Sequence, residues 1–231
     1  MAELDDKGFA KNWPLKAEKW MEFFQGSPPG CIISHNSIPP GILIVQNFMG
    51  AQFCDALVKE CDAVAGERHA LGKKQDDGTV KPVVDDSRSS EAIFPKDLKT
   101  DVVGLVRQAF KTAIEPHFRV KIEWFESPEI LRYKAGGQYT AHSDAHNWLA
   151  DEHKWCRVLD RDLSLLLYIN NDFEGGKLVF PNCDFSISPS RGMLVAFPSD
   201  WRYLHAALPV RSGTRYAIVS WAAAAGGPRI N

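Results

Sequence analysis

The chain has 231 residues, 45% of them hydrophobic and 24% charged, with 27 Lys and Arg against 29 Asp and Glu and a formal net charge of −2. That length suits one sizeable core, and the balance is that of a globular domain rather than a disordered or fibrous one. The near-neutral charge gives no electrostatic case for nucleic acid or an anionic membrane as partner, and the apolar run at 42–45 is far too short to cross a bilayer.

Residues 1–7 are acidic and polar, without the apolar core of a signal peptide behind them, so a cytoplasmic chain is expected. Five cysteines, Cys31, Cys54, Cys61, Cys156 and Cys183, show no CxxC or paired zinc spacing, which fits buried free thiols in a reducing compartment. Within the extension 1–40, Trp13, Ala17, Trp20 and Phe24 recur at helical spacing, with Pro14 suited to a first turn. These aromatics read as cover for one edge of the main core. Residues 42–48 read as a first strand, and 51–64 as a helix with Phe53, Leu57, Cys61 and Val64 on one face. From 65 to 90 periodicity disappears among Gly66, Gly72, Gly78 and Pro82, and a long loop of the lid type is expected. Asp97 is a candidate cap for a helix whose buried stripe is Leu98, Val102, Leu105, Val106 and Phe110, running through Ile114.

Beyond His117 the texture changes to short strands separated by turns, the pattern of an all-β region. Strands are expected near 119–125, 129–134, 138–144, 163–170, 176–181, 184–188, 193–197, 202–207 and 214–222, with turn signals at Gly136-Gly137, Gly175-Gly176, 189–192 and Ser212-Gly213. The polar segment 145–162 reads as a linker, and the Ala/Gly tail from Ala222 to Pro228 as an end that frays.

The chemistry concentrates in His142-Ser143-Asp144 and a lone His205 about sixty residues later. Alternation on a strand sends His142 and Asp144 to one face and Ser143 to the other. Two imidazoles and one carboxylate on one face of a metal leave the opposite face open, the arrangement of non-haem Fe(II) oxygenases. His146 and His153 are the competing histidines, but a fourth protein ligand would fill a position needed for co-substrate and oxygen. His146 therefore reads as a surface or neighbouring residue rather than a ligand.

Arg215 alternates with Ala217, Val219 and Trp221, so an apolar, inward face carries a cation. A buried guanidinium needs a partner, and a bound carboxylate matches its fork bidentately. Tyr168, in Leu165-Leu-Leu-Tyr-Ile-Asn170, can donate its hydroxyl to the same carboxylate, and Tyr133 and Tyr139, flanking Gly136-Gly137, can line the pocket nearer the metal.

With those residues placed, the chain resembles the Fe(II)- and 2-oxoglutarate-dependent dioxygenases, specifically their prolyl 4-hydroxylase-like branch. The strings that carry the resemblance are Tyr133-x-x-Gly-Gly-x-Tyr139-x-x-His142-x-Asp144, Leu167-Tyr168-Ile-Asn170, and Glu174-Gly-Gly-Lys-Leu-Val-Phe-Pro181. Pro189-x-x-Gly192-x-x-Val-x-Phe197 and His205-x-x-x-Pro-Val-x-x-Gly-x-Arg215-Tyr-x-x-x-x-Trp221 complete the set. The resemblance implies a double-stranded β-helix, or jelly roll, with helices packed on one sheet, the dioxygenase domain spanning 41–231 and the extension 1–40 lying on or near it. It implies Fe(II) held by His142, Asp144 and His205, and 2-oxoglutarate bound through Arg215 and Tyr168 with Tyr133 beside them. Oxygen completes the site, and ascorbate is a further candidate ligand. Succinate and carbon dioxide would be released as an unactivated C–H bond is hydroxylated, most simply on a prolyl residue of a protein or peptide.

Arginine at 215 in place of the lysine of collagen-type enzymes moves the resemblance toward the hypoxia-sensing prolyl hydroxylases and their bacterial relatives. There the segment from Ala70 to Thr79 would correspond to the mobile substrate loop. Arg161, Trp221 and Tyr139 would correspond to residues that meet the peptide. The two alanines after His205 and the 145–162 segment with Trp148 and Trp155 depart from that pattern, and leave a free amino acid or other small molecule as the alternative substrate. A cupin-like metal protein without oxygenase activity is the remaining alternative; it would keep the histidines but have no use for Arg215 and Tyr168.

Overall fold

The computed structural model of the chain describes residues 38–68, 71–74, 80–83, 87–95 and 97–230. The aromatic helical spacing at 13–24 and most of the segment from Ala70 to Thr79 lie outside the described residues.

Strand β1 (Leu43–Val45) leads into helix α1 (Ala51–Ala63), which buries Cys54, Leu57 and Cys61. Where a long loop was expected, the backbone forms β2 (Glu67–Arg68), β3 (Leu71–Lys74) and β4 (Val80–Val83), with β3 and β4 paired as an antiparallel hairpin. Glycine-rich, strongly charged segments like this carry little period-two hydrophobic signal in the sequence. After β5 (Glu91–Ile93) comes α2 (Lys99–Ala109), continued by a π-helical turn (Phe110–Ile114) and α3 (Glu115–Phe118). Asp97 does not cap α2. The N-cap is Leu98, without a side-chain capping bond, and its backbone N–H donates to Glu60 Oε2 on α1 at 3.4 Å.

The rest of the chain is strands: β6 (Ile122–Phe125), β7 (Glu129–Tyr133), β8 (Tyr139–His142), β9 (His146–Leu149), β10 (Lys154–Arg157), β11 (Leu163–Tyr168) and β12 (Glu174–Gly175). They are followed by β13 (Leu178–Phe180), β14 (Phe185–Ile187), β15 (Leu194–Pro198), β16 (His205–Ala207), β17 (Val210–Ser212) and β18 (Arg215–Ala224). The major sheet runs β1-β15-β11-β18-β7-β5-β2 with β6 also on β18, and the minor sheet runs β14-β13-β16-β8. This is the mainly β, jelly-roll architecture with flanking helices.

One face of the major sheet is closed by the helices: Leu57, Val106, Phe110 and Ile114 pack against Ile130, Leu165, Leu167, Ile218 and Leu194 in a single buried cluster. Burial of this apolar area is the chief stabilising term. Period-two alternation sends Leu131, Tyr133, Ala217 and Val219 to the other face, where the minor sheet stands opposite and a cavity opens between the two.

Two further expectations are corrected. The 145–162 segment is not a plain linker: β9 and β10 form an antiparallel hairpin in which Trp148 and Trp155 are directly opposite. The tail does not fray at Ala222, because β18 continues to Ala224 and buries Ala222 and Ala223 fully against β6. Arg229 then ties the end down through Asp162 and Glu123.

Candidate active site

His142 ends β8 and His205 begins β16, and the two strands pair so that these residues face each other directly. Asp144 lies two residues beyond His142, outside the strand, yet its carboxylate reaches both rings: Oδ1 is 3.6 Å from His142 Nε2 and Oδ2 is 3.5 Å from His205 Nε2. The candidate ligand atoms of the three lie within 4.8 Å of one another, and they are the single metal-ligating cluster found among the described residues.

The rings are held from behind. His142 Nδ1 bonds to the Thr140 carbonyl at 2.8 Å and His205 Nδ1 to the Tyr203 carbonyl at 3.1 Å. A carbonyl only accepts, so both Nδ1 atoms carry the proton and both Nε2 atoms offer a lone pair toward the same point, as metal-binding histidines do. Burial pushes His205 down to about 4, against the opposing pull of Asp144, which keeps its ring neutral at physiological pH. For Asp144 burial would raise the carboxyl, but His205, His142 and the Ser164 hydroxyl together outweigh it and hold the group ionised, well below the usual carboxylate range.

Ser164 escaped the sequence reading. On β11, it is buried and donates to Asp144 Oδ2 at 2.6 Å, while its oxygen lies 2.8 Å from Ser199 Oγ. A serine in an apolar strand is a weak signal in one dimension; only the pairing of sheets shows that it supports a ligand. The rings of Phe180 and Phe197 pack on His205, with centroids 6.0 and 4.7 Å away.

The cavity beside this triad has a volume of about 520 Å³ and is lined by Tyr133, Tyr139, Arg161, Tyr168, Arg215 and Trp221 among others, so every residue expected at the site is brought to it. Arg215 is 2% exposed. Its guanidinium carbon sits 4.0 Å from the Tyr133 ring centroid and its Nη1 donates to the Gly176 carbonyl at 2.7 Å, but its buried Nε has no hydrogen-bond partner. No acidic side chain among the described residues pairs with it. Gly176 is required here: its φ is +59°, and a Cβ would come within 3.3 Å of Arg215 Cδ and 3.0 Å of Phe173. Tyr168 is fully buried beside this arginine, and burial holds its phenol proton on well above the usual range, so it stands as a donor.

Arg161 is less free than expected of a substrate contact. It forms a two-pronged pair with Glu126 at 2.5 and 2.6 Å and lies 3.7 Å from the Trp221 ring centroid. His146 is not in the ligand cluster. The hairpin tryptophans do not line the cavity; Trp148 and Trp155 pack against each other, tilted, with centroids 5.6 Å apart, and Trp155 lies parallel to Trp201 at 6.4 Å.

The donor set fits Fe(II), since two neutral imidazoles and one carboxylate supply three ligands on one side. The unpaired Arg215 with its orphaned Nε fits a second, anionic guest. Fold and site together define a double-stranded β-helix that carries a candidate metal site of two histidines and one carboxylate. The family model described as the 2OG-Fe(II) oxygenase superfamily matches residues 128–223, the span that holds all three candidate ligands and Arg215. Prolyl 4-hydroxylase 1 of Arabidopsis thaliana is 27% identical over 202 residues, covering 79% of this chain and 68% of that one. A putative prolyl 4-hydroxylase of Acanthamoeba polyphaga mimivirus is 32% identical over 117 residues, 45% of this chain and 47% of its own length. The crystal structure of a Pseudomonas putida prolyl-4-hydroxylase shares the fold, with a TM-score of 0.58, 24% identity and coverage of 79% of this chain and 92% of that chain. Over residues 128–223 the chain is similar to the 2OG-Fe(II) oxygenase superfamily, and the sequence relatives it resembles there are prolyl 4-hydroxylases.

Proposed function

We propose that this protein is an Fe(II)- and 2-oxoglutarate-dependent hydroxylase acting on a prolyl residue. The observation that carries the co-substrate is Arg215: a buried cation without a carboxylate partner among the described residues, in the same cavity as the triad. The names of the sequence relatives support the prolyl substrate.

In this reading His142, Asp144 and His205 hold the iron, and Arg215 with the Tyr168 hydroxyl holds the far carboxylate of 2-oxoglutarate. Bound iron and 2-oxoglutarate supply the oxidising power, by oxidative decarboxylation to succinate and carbon dioxide with oxygen as the oxidant. The chain's own contribution is positional. Nδ1–H bonds to two carbonyls fix the imidazoles, Ser164 fixes the carboxylate, and the apolar sheet face excludes water from the reacting centre. Tyr139, stacked on His142 at 3.6 Å, and Trp221, under Arg161, form walls for the substrate. The buried free thiols Cys54 and Cys61 support a reducing, cytoplasmic setting as part of the same proposal. No helix of the described residues is long and apolar enough to cross a membrane.

The test is substrate-dependent succinate release with Fe(II), 2-oxoglutarate and ascorbate as added reductant, followed by mass analysis of prolyl peptides and of free proline. A one-oxygen gain on a prolyl ring is the expected result. If 2-oxoglutarate binds to the Fe(II) enzyme but no prolyl compound gains oxygen, the substrate assignment fails.

A further inference from the structure

Among the described residues, several arginines with restricted exposure hold carboxylates. Arg132 pairs with Glu91, Arg157 with Asp162, Arg161 with Glu126 and Arg229 with Glu123. Among the described residues two buried arginines have no acidic partner, Arg215 and Arg88, and both line the same cavity. Arg215 is taken up by 2-oxoglutarate in the proposed function. Arg88 is not accounted for by it.

Arg88 is 6% exposed, and its one side-chain hydrogen bond runs from Nε to Ser90 Oγ at 3.0 Å. That bond leaves the terminal fork of the guanidinium, the end that grips a carboxylate bidentately, without a protein partner among the described residues. The backbone holds the residue firmly in place: Arg88 bridges to Tyr139, with Ser89 N–H donating to the Gln138 carbonyl and Thr140 N–H to the Ser87 carbonyl. Its guanidinium carbon lies 4.8 Å from the Tyr139 ring centroid, and that ring stacks on His142 at 3.6 Å. Since His142 covers one face of Tyr139, the guanidinium lies over the other. The tyrosine ring therefore stands between Arg88 and the metal ligands. An acid chelated at the triad with its tail on Arg215 does not reach it.

A cation–π contact offsets part of the desolvation of a buried guanidinium, but a cation this deep is expected to have a counter-charge when the site is filled. We propose that Arg88 binds a carboxylate of the substrate, so that the compound hydroxylated here is an anion. Its carboxylate lies beyond Tyr139, and the C–H bond to be oxidised lies on the triad's side of that ring. This rests on the hydroxylase reading above and narrows it to substrates with a carboxylate close to the reacting ring. A free amino acid and the C-terminal residue of a peptide present that same chemistry.

The experiment compares matched pairs: a short peptide ending in a proline carboxylate against the same peptide ending in prolinamide, and L-proline against L-prolinamide. Each is assayed on the wild-type Fe(II) enzyme and on Arg88→Gln, with Arg88→Lys as the conservative variant. The expected result is a preference for the carboxylate member in kcat/KM of about ten- to a hundredfold, the range of a charge-assisted bond. That ratio should collapse toward one in Arg88→Gln and be partly restored in Arg88→Lys, while the KM for 2-oxoglutarate stays put. Which pair shows the preference identifies the source of the carboxylate. Equal rates for both members in the wild type, a ratio that survives Arg88→Gln, or a matching rise in the KM for 2-oxoglutarate would each overturn the assignment. If no prolyl compound is turned over at all, the prolyl reading falls separately. The anion site is then read by protection from thermal unfolding with acetate, in the presence of Mn(II) and 2-oxoglutarate: protection lost in Arg88→Gln sustains it, and no protection in the wild type removes it.

Discussion

Strands β7 and β18 carry one buried arginine on each face of the major sheet, and the two are treated in opposite ways. Arg132 points to the helices, where it meets Glu91 Oε2 at 2.6 Å through Nε and donates through Nη1 to the carbonyls of Cys61 and Val64 at 3.2 and 3.1 Å. Arg215, on the neighbouring strand and opposite Tyr133, points to the cavity with one carbonyl bond and an empty Nε. Both positions bury a cation at comparable depth, 8% and 2% exposed. Closed packing on the helix side has satisfied its charge within the chain. The cavity side leaves its charge for a guest, and that asymmetry marks where the ligand goes.

The strongest challenge to this contrast lies at the triad. His205→Ala removes one of three candidate ligands and is expected to abolish turnover and to weaken Fe(II) binding by orders of magnitude, read by anaerobic metal titration. Tight, stoichiometric binding in the variant would take His205 out of the metal site. Next in size is Arg215→Ala. Losing a buried charge-assisted contact to 2-oxoglutarate should raise the co-substrate requirement about a hundredfold, with a far smaller change in the iron requirement. The ligand-free variant should be no less stable than the wild type, because it sheds an unpaired buried cation.

Arg132→Ala is the mirror experiment and the next effect down. It leaves Glu91 with Lys134 as its one remaining ion pair and takes a donor from the carbonyls of Cys61 and Val64, a cost of about 2–4 kcal/mol in urea unfolding of the ligand-free protein. If Arg132→Ala and Arg215→Ala destabilise the empty protein equally, the distinction between a closed and an open face is lost.

How much of this was legible in one dimension follows from what kind of signal each element carries. The strands that build the site were readable because one face of each is apolar and the other meets a cavity or solvent, which imposes period two on 129–133, 163–168 and 215–222. Arg215 stood out because it interrupts such a face. Ser164 and Arg88 did not, since their meaning depends on which strand lies opposite: Asp144 reaches Ser164 across twenty residues, and Tyr139 reaches Arg88 across about fifty. The hairpins at 71–83 and 146–157 were read as loop and linker because they pair outside the two main sheets. The Asp97 cap failed because Glu60, on α1, meets the helix start instead, a tertiary contact that local capping rules do not see.

The smallest effect tests whether the helix side satisfies its charges as completely as Arg132 implies. Glu115, at the start of α3, accepts the Ile122 backbone N–H at 2.9 Å and ion pairs from Lys111 at 3.0 Å and Lys121 at 3.3 Å. The backbone bond, followed by Lys111, holds its carboxyl down at about 2 from an ordinary 4.5. A folded-state value below the unfolded one means the unfolded chain binds more protons between them, so stability rises with pH across that window. The stabilisation is fully present above about pH 4.5 and is lost as the pH falls toward 2. Glu115→Gln, which cannot ionise, should therefore be less stable than the wild type at neutral pH by a small margin that closes on acidification through this window. A margin that stays constant from neutral pH down to acid unfolding would mean that the carboxylate's charge contributes nothing.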